Sequence, residues 1–311
     1  MPPATISSSV ALKKSIGPHS FIYGTAWKKD ATAKLVKEAL MAGFLAVDTA
    51  AQPKHYQEDL VGAGIRDALR EGGLSREQIY IQTKFTPPPS QDLHKMPYDS
   101  DAPLETQLHT SVASSLRNLR TQEDDSDQDT TYIDCLLLHT PLENIRATVD
   151  AWKILESYVP SRIRSLGISN VTLPVLEILY KTSTVKPSVV QNRFYGQTAW
   201  DVPLRAFCRE KNISYQSFWT LTGNPQLLKS TPVTMLASFA KVSAEVALYS
   251  LVMAMEVKVL CGTTNVARMS ENLDGVRRVE SWTREKKDSW NTIFGDFKHV
   301  IGEEHPEWLQ E

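Results

Sequence analysis

The sequence has few cysteines, and their spacing does not suggest a cross-linked or metal-bound scaffold. Cys135, Cys208 and Cys261 are the three cysteines among 311 residues, and no two of them form a CxxC pair. A sparse, odd count argues against a disulfide framework and against a zinc site, and it fits a reducing compartment. We therefore predict a cytoplasmic protein that holds no metal.

Long apolar runs and an excess of charge are also missing. The N-terminal segment MPPATISSSVALKKS has no continuous apolar stretch of the signal-peptide kind, and the longest apolar stretch, 246–260, is too short and too interrupted to span a bilayer. The formal net charge of −2 gives no electrostatic footprint for nucleic acid or an acidic membrane. We expect a small-molecule partner, no nucleic-acid or membrane partner, and a monomer or weak homo-oligomer.

No GxGxxG motif follows an early strand, so the usual dinucleotide fingerprint of an open doubly wound sheet is absent. Instead, eight short apolar runs alternate with segments of helical periodicity, which favours an α/β fold with a closed (β/α)8 TIM barrel. We predict one domain over 1–311, with a short hairpin before Phe21. The predicted strands are 21–25, 44–48, 79–83, 135–138, 165–168, 187–192, 213–218 and 257–262. The predicted helices are 31–42, 57–71, 104–119, 144–158, 172–182, 201–211, 232–254 and 265–278.

Four of the predicted strands end on polar residues of different chemical types. Asp48 ends the second strand, Lys84 the third and His139 the fourth, and Ser169 follows the fifth. Because the carboxyl ends of parallel barrel strands share one rim, these groups predict an active site there. The proline-rich segment 85–103 follows Lys84, and we expect it to form a wall of the pocket.

Tyr56, eight residues after Asp48, completes a set that could transfer a proton to a developing alkoxide. A phenol has an unperturbed pKa near 10, and a nearby lysine held by an aspartate would lower that pKa. A histidine could orient a carbonyl oxygen toward the phenol, as reduction by hydride requires. His55 is the alternative proton carrier if the loop shifts by one residue.

Several segments share their order with the motifs of one enzyme family. GFLAVDTAAQPKHYQEDLVG (43–62) runs from a strand into Asp-Thr-Ala and then into Tyr and Glu. The later segments are QTK (82–84), LLLHTP (136–141), GISN (167–170), VVQNR (189–193) and ARMSENL (267–273). Over residues 21–278 the chain resembles the aldo-keto reductases. The resemblance implies an NAD(P)H-dependent barrel that reversibly reduces aldehydes or ketones to alcohols.

The resemblance also implies roles for particular residues. Asp48, Tyr56, Lys84 and His139 would form the catalytic tetrad, with Tyr56 as the proton donor. Apart from the resemblance, Trp27 lies close to Thr25 in the sequence and would either line the substrate pocket or pack on the surface. The implied cofactor contacts are Ser169, Asn170 and Gln191 at the nicotinamide carboxamide, Gly24 and Thr25 after the first strand, Phe218 stacked on the nicotinamide, Leu221 near the pyrophosphate, and Thr263, Thr264, Asn265, Arg268, Glu271 and Asn272 at the adenosine end.

The sequence departs from the family pattern at two places that bear on function. The spacing from Asp48 to Tyr56 is three residues longer than the common pattern, around Gln52. Gly262 stands where many members have a lysine against the 2′-phosphate, which leaves NADH possible, although Arg268 favours NADPH. Two alternatives remain open: a non-catalytic, cofactor-binding, redox-sensing regulatory subunit, and a metal-dependent hydrolase that uses Asp48, His55 and His139.

Overall fold

The structure is a computed structural model that describes residues 19–122 and 131–303. The hairpin predicted within residues 5–17 and the acidic run at 123–129 lie outside the described residues.

Eight parallel strands form a closed barrel in the order of the sequence, and β8 pairs with β1 to complete it. The strands are β1 (Phe21–Gly24), β2 (Ala46–Asp48), β3 (Tyr80–Phe85), β4 (Cys135–Leu138), β5 (Leu166–Ser169), β6 (Val189–Arg193), β7 (Ser214–Phe218) and β8 (Lys258–Cys261). The (β/α)8 barrel predicted from the eight apolar runs is therefore confirmed.

Helices follow the strands and cover the outside of the barrel. They are α1 (Thr32–Ala42), α2 (Glu58–Gly72), α3 (Leu104–Asn118), α4 (Ile145–Glu156), α5 (Leu173–Thr182), α6 (Val202–Glu210), α7 (Pro225–Leu228), α8 (Thr231–Ala240), α9 (Ala244–Met253), α10 (Val266–Glu285) and α11 (Lys287–Val300). The last of these was not predicted from the sequence, and α10 is longer than predicted. The main apolar core lies between the strands and this helical layer.

The single helix predicted over 232–254 is wrong, because the segment folds as α8 and α9, bent by 107°. Lys241 adopts a left-handed conformation with φ 54°, which ends α8. The Ser243 side chain then accepts a hydrogen bond from the Val246 N–H and caps α9. In the described part of the chain no single helix is long and apolar enough to cross a membrane, although this bent pair passes that test when taken together.

Alternate side chains of each strand point into the barrel, as the two-residue period of a strand requires. Cys135, Leu137 and Val189 form a small apolar cluster separate from the main core. The polar side chains of the rim extend from the same strands, further toward their carboxyl ends. The barrel therefore holds the candidate site on a rigid frame.

Candidate active site

A buried ion pair joins the ends of β2 and β3. The Lys84 amine is 2.6 Å from Asp48 Oδ2, and the two side chains are 1% and 2% exposed. The amine also donates to the Thr49 carbonyl at 2.8 Å. Burial lowers the pKa of Lys84, and the Asp48 charge opposes that shift. Asp48 Oδ2 and the Thr49 carbonyl together hold the Lys84 amine in one position.

Three glutamines form a hydrogen-bonded layer around Asp48. The Nε2 atoms of Gln82 and Gln191 donate to Asp48 Oδ1 at 2.6 and 2.9 Å. Both also donate to Gln216 Oε1, at 2.8 and 2.9 Å. Every partner in this layer is buried, so the network fixes the carboxylate in one position. Gln191 was predicted from the sequence as a cofactor contact, whereas Gln82 and Gln216 were not predicted. Each lies two residues before a predicted site residue, Lys84 or Phe218, and residues two apart on a strand share one face, so this spacing could have identified them.

Tyr56 lies above this pair, at the end of a tight turn. Its backbone N–H donates to the Gln52 carbonyl at 3.0 Å, so the three-residue extension forms a compact turn. The Lys84 amine is 5.2 Å from the centroid of the Tyr56 ring. Burial raises the pKa of Tyr56 above its usual value of 10, and the Asp48 charge raises it further. The expected lowering of this pKa by Lys84 is wrong, because burial of the ring and the charge of Asp48 both raise the pKa of Tyr56.

The turn separates the two candidate proton carriers, His55 and Tyr56. The His55 ring packs on the indole of Trp27 with 3.7 Å between centroids, and the backbone N–H of Trp27 donates to the backbone carbonyl of His55 at 2.7 Å. Trp27 is 65% exposed, so this pair forms an outer edge of the cavity. Tyr56, and not His55, contacts Lys84 and faces His139, with 6.1 Å between the Tyr56 and His139 ring centroids. These contacts favour Tyr56 as the acid.

His139 is held as a neutral imidazole. Its Nδ1 is 2.6 Å from Thr86 Oγ1, which leaves Nε2 for the cavity. Burial, with the positive charge of Lys84, lowers the pKa of His139 to about 3. If the Thr86 hydroxyl donates to Nδ1, the ring carries its proton on Nε2 and can donate it to a carbonyl oxygen. The sequence analysis missed Thr86.

One cavity of about 1310 Å³ opens above these groups. Most of the residues predicted from the sequence line it: Gly24, Thr25, Trp27, Asp48, Tyr56, His139, Ser169, Asn170, Gln191, Phe218, Leu221, Thr263, Arg268, Glu271 and Asn272. Lys84 lies beneath the cavity, and Thr264 and Asn265 do not line it. The Asn265 side chain instead accepts from the Arg268 N–H at 3.2 Å and caps α10. The assigned roles of all these residues stay predictions.

The proline-rich segment does not line this cavity, so its predicted role as a pocket wall is wrong. It supports the Tyr56 loop from outside instead. The Gln52 amide donates to the Ser90 carbonyl at 2.7 Å, and the Gln91 amide donates to the Ala51 carbonyl at 2.7 Å. These bonds hold the long turn between Asp48 and Tyr56 against the segment that follows β3.

A lysine that the sequence analysis missed lies beside Gly262. Lys28 is 8% exposed, and its amine donates to the Gly262 carbonyl. A Cβ atom on Gly262 would lie 3.6 Å from this amine. A cation from the loop after β1 therefore lies directly beside this glycine. Lys28 also lines the cavity, on the side of Thr263 and Arg268.

The chain is similar to known proteins in both sequence and fold. The sequence model of the Aldo/keto reductase family matches residues 17–293. Glyoxal reductase of Bacillus subtilis is 30% identical over 203 residues, 65% of this chain and 62% of that protein. D-galacturonate reductase of Hypocrea jecorina is 27% identical over 263 residues, 77% of this chain and 76% of that protein. The chain spans 57% to 62% of the length of the first curated relatives that it matches.

Solved structures have the same fold at low identity. An aldo/keto reductase from Brucella melitensis has a TM-score of 0.64 and 22% identity, covering 85% of this chain and 94% of that one. The Bombyx mori aldo-keto reductase in complex with NADP has a TM-score of 0.65 and 21% identity, covering 84% and 88%. At this identity the likeness shows the fold alone.

Proposed function

Because the chain belongs to the aldo/keto reductase family, we propose that it reduces aldehydes or ketones to alcohols with a nicotinamide dinucleotide. The reaction would be reversible. Relatives with related sequences carry names such as glyoxal reductase and methylglyoxal reductase, which fits a small carbonyl substrate. No relative named here supports the regulatory alternative. Within the described residues no group of three potential metal ligands occurs, and no observation favours the hydrolase.

One observation carries this proposal. A buried ion pair, a protonated phenol and a neutral imidazole meet at the bottom of one cavity. Lys84, Tyr56 and His139 come from different parts of the chain. Such a set suits proton delivery to an oxygen that gains negative charge, and it requires no metal.

The cavity also fits a dinucleotide. Its volume of about 1310 Å³ exceeds the roughly 300–1,000 Å³ of drug-sized sites. Half-buried Phe218 offers a flat ring at one end, and Lys28 and Arg268 offer cations at the other. Aromatic stacking and phosphate contacts are what a nicotinamide and a nucleotide phosphate need. We propose NADPH as the preferred cofactor, with Lys28 and Arg268 near its 2′-phosphate.

Each residue of the set would have a distinct part in the reaction. The bound nicotinamide supplies the hydride. The N–H of His139 would orient the substrate carbonyl, and the Tyr56 hydroxyl would donate a proton to its oxygen. Lys84 would hold the Tyr56 ring from below, since its amine is 5.2 Å from the ring centroid. Asp48 keeps Lys84 charged and in place.

A substrate panel tests the proposal. Purified protein is mixed with NADPH or NADH and with aldehydes and ketones of different size, and cofactor absorbance and alcohol product are both measured. We expect cofactor oxidation matched by alcohol formation. If folded protein binds the cofactor but oxidises none with any panel member, the reductase proposal fails and the regulatory alternative gains support.

A further inference from the structure

β6 places a third side chain on the inner face of the barrel, one layer above Gln191. Asn192 points away from the barrel interior, because its Nδ2 donates to the Val171 carbonyl at 2.8 Å and to Asp201 Oδ2 at 2.7 Å. Strand side chains alternate, so Gln191 and Arg193 share the inner face, about 6.6 Å apart along the strand. Arg193 accordingly lines the same cavity as Tyr56 and His139.

The Arg193 guanidinium is surrounded by aromatic rings. Its central carbon lies 4.2 Å from the centroid of Trp219, 5.4 Å from that of Tyr195 and 5.6 Å from that of Phe218. A guanidinium that stacks on an aromatic face keeps its N–H groups in the guanidinium plane, where they can still donate. The rings therefore fix the orientation of Arg193 without using its hydrogen-bond donors.

Arg193 has no anionic partner in residues 19–122 and 131–303, and its buried Nε has no acceptor there. Two other arginines that are at least partly buried do have such partners. Arg76 lies 2.7 Å from Asp134, and Arg205 lies 2.8 Å from Glu303. A partly desolvated cation without a counter-charge is costly unless something else supplies the charge. A fixed, unpaired guanidinium inside the reaction cavity is suited to bind a carboxylate through two parallel hydrogen bonds.

We propose that Arg193 selects carbonyl substrates that carry a carboxylate. The inference rests on the proposed function and narrows its substrate class. The substrate's carboxylate would pair with Arg193, and its carbonyl would reach Tyr56 and His139. The same cation could instead contact a cofactor phosphate, so the test must separate these two anions.

The experiment compares a matched pair of aldehydes, succinic semialdehyde and pentanal. KM and kcat are measured for the wild type, Arg193→Met, Arg193→Lys and Arg164→Met. Arg164 is the matched control, since its guanidinium lies 4.5 Å from the Tyr132 ring and outside the cavity. Dissociation constants for NADPH and for succinate are measured by calorimetry on the same proteins.

We expect Arg193→Met to raise KM for succinic semialdehyde by roughly 10- to 100-fold, as expected when hydrogen bonds to a charged group are lost. Pentanal kinetics and NADPH affinity should change less than about twofold. Arg193→Lys should raise KM for succinic semialdehyde less than Arg193→Met does, because lysine keeps the positive charge but lacks the two parallel N–H donors of the guanidinium. Arg164→Met should behave as the wild type does.

Three results would overturn the inference: equal KM changes for both aldehydes, no wild-type preference for the carboxylate, or a parallel loss of NADPH affinity. The last result would assign Arg193 to the cofactor. If the wild type reduces pentanal and succinic semialdehyde equally well, the proposed function stands and the inference about Arg193 is rejected. Succinate binding that depends on Arg193 supports the anion site even if no aldehyde or ketone of the full panel is reduced, and in that case the reductase proposal alone fails.

Discussion

The amine of Lys84 lies 5.2 Å from the centroid of the Tyr56 ring, and the same amine is 2.6 Å from Asp48 Oδ2. This arrangement does not make the phenol more acidic, since burial and Asp48 both raise the pKa of Tyr56. A developing alkoxide is a far stronger base than a phenolate, so a protonated Tyr56 remains a competent donor. In the proposed reaction, Lys84 would therefore act by positioning the ring.

Replacing Tyr56 by phenylalanine should remove the proton donor and little else. We expect kcat to fall by about 10²- to 10⁴-fold, the usual range for loss of a general acid. Cofactor affinity should change less than about twofold, because the hydroxyl belongs to the reacting end of the cavity. Steady-state kinetics and cofactor titration check this, with Tyr180→Phe on α5 as the control. Normal turnover in Tyr56→Phe would reject Tyr56 as the acid.

Removing Lys84 should destabilise the fold as well as the site. Lys84→Met leaves the Asp48 carboxylate buried and unpaired, which costs about 3–5 kcal/mol in the free energy of unfolding. The double variant Lys84→Met, Asp48→Asn should recover part of that cost, since no lone charge remains. Urea unfolding measures both free energies.

A matched control comes from an ion pair of the same length on the surface. Lys37 and Glu71 are also 2.6 Å apart, but their side chains are 31% and 49% exposed. Lys37→Met should cost less than about 1 kcal/mol. Equal costs for the two lysines would show that the Asp48–Lys84 pair is not stabilised by its burial and its network.

His139 should make the fold sensitive to acid. Its pKa is about 3 when folded against a usual 6.5, so between these values the unfolded chain holds more protons. Stability is therefore retained above pH 6.5 and falls as the pH drops toward 3, by at most about 1.4 kcal/mol per pH unit. His139→Gln removes this group, so the unfolding free energy should depend less steeply on pH between about 3 and 6.5, by the contribution of one proton. Urea unfolding at several pH values tests this, and an unchanged slope would contradict it.

Cofactor choice should depend on Lys28 and Arg268. Lys28→Met and Arg268→Ala should each lower the affinity for NADPH by roughly 10- to 100-fold, because a charge-assisted phosphate contact is lost. The affinity for NADH should fall less. Fluorescence titration with both cofactors measures the ratio, with exposed Lys34→Met as the control. Equal loss of both cofactors would place the cation at the shared pyrophosphate and not at the 2′-phosphate.

Much of the rim could be predicted from local pattern. Asp48, Lys84 and His139 each follow a short apolar run, and parallel strands bring such ends together whatever the loops do. The two-helix fold of 231–254 was missed because the whole stretch is apolar, and periodicity cannot locate a break that depends on one left-handed residue, Lys241. The pKa of Tyr56 was misjudged because burial is not a property of local sequence.

The sequence by itself determined the eightfold alternation of strand and helix and the chemical types that reach the rim, because both depend on short-range period and residue identity. Only the tertiary structure decided which side chains meet. It placed Lys28 beside Gly262, closed the long turn under Tyr56 and left Arg193 without a counter-charge among the residues that the structure describes. Those outcomes depend on contacts between residues far apart in the chain, and no local pattern encodes such contacts.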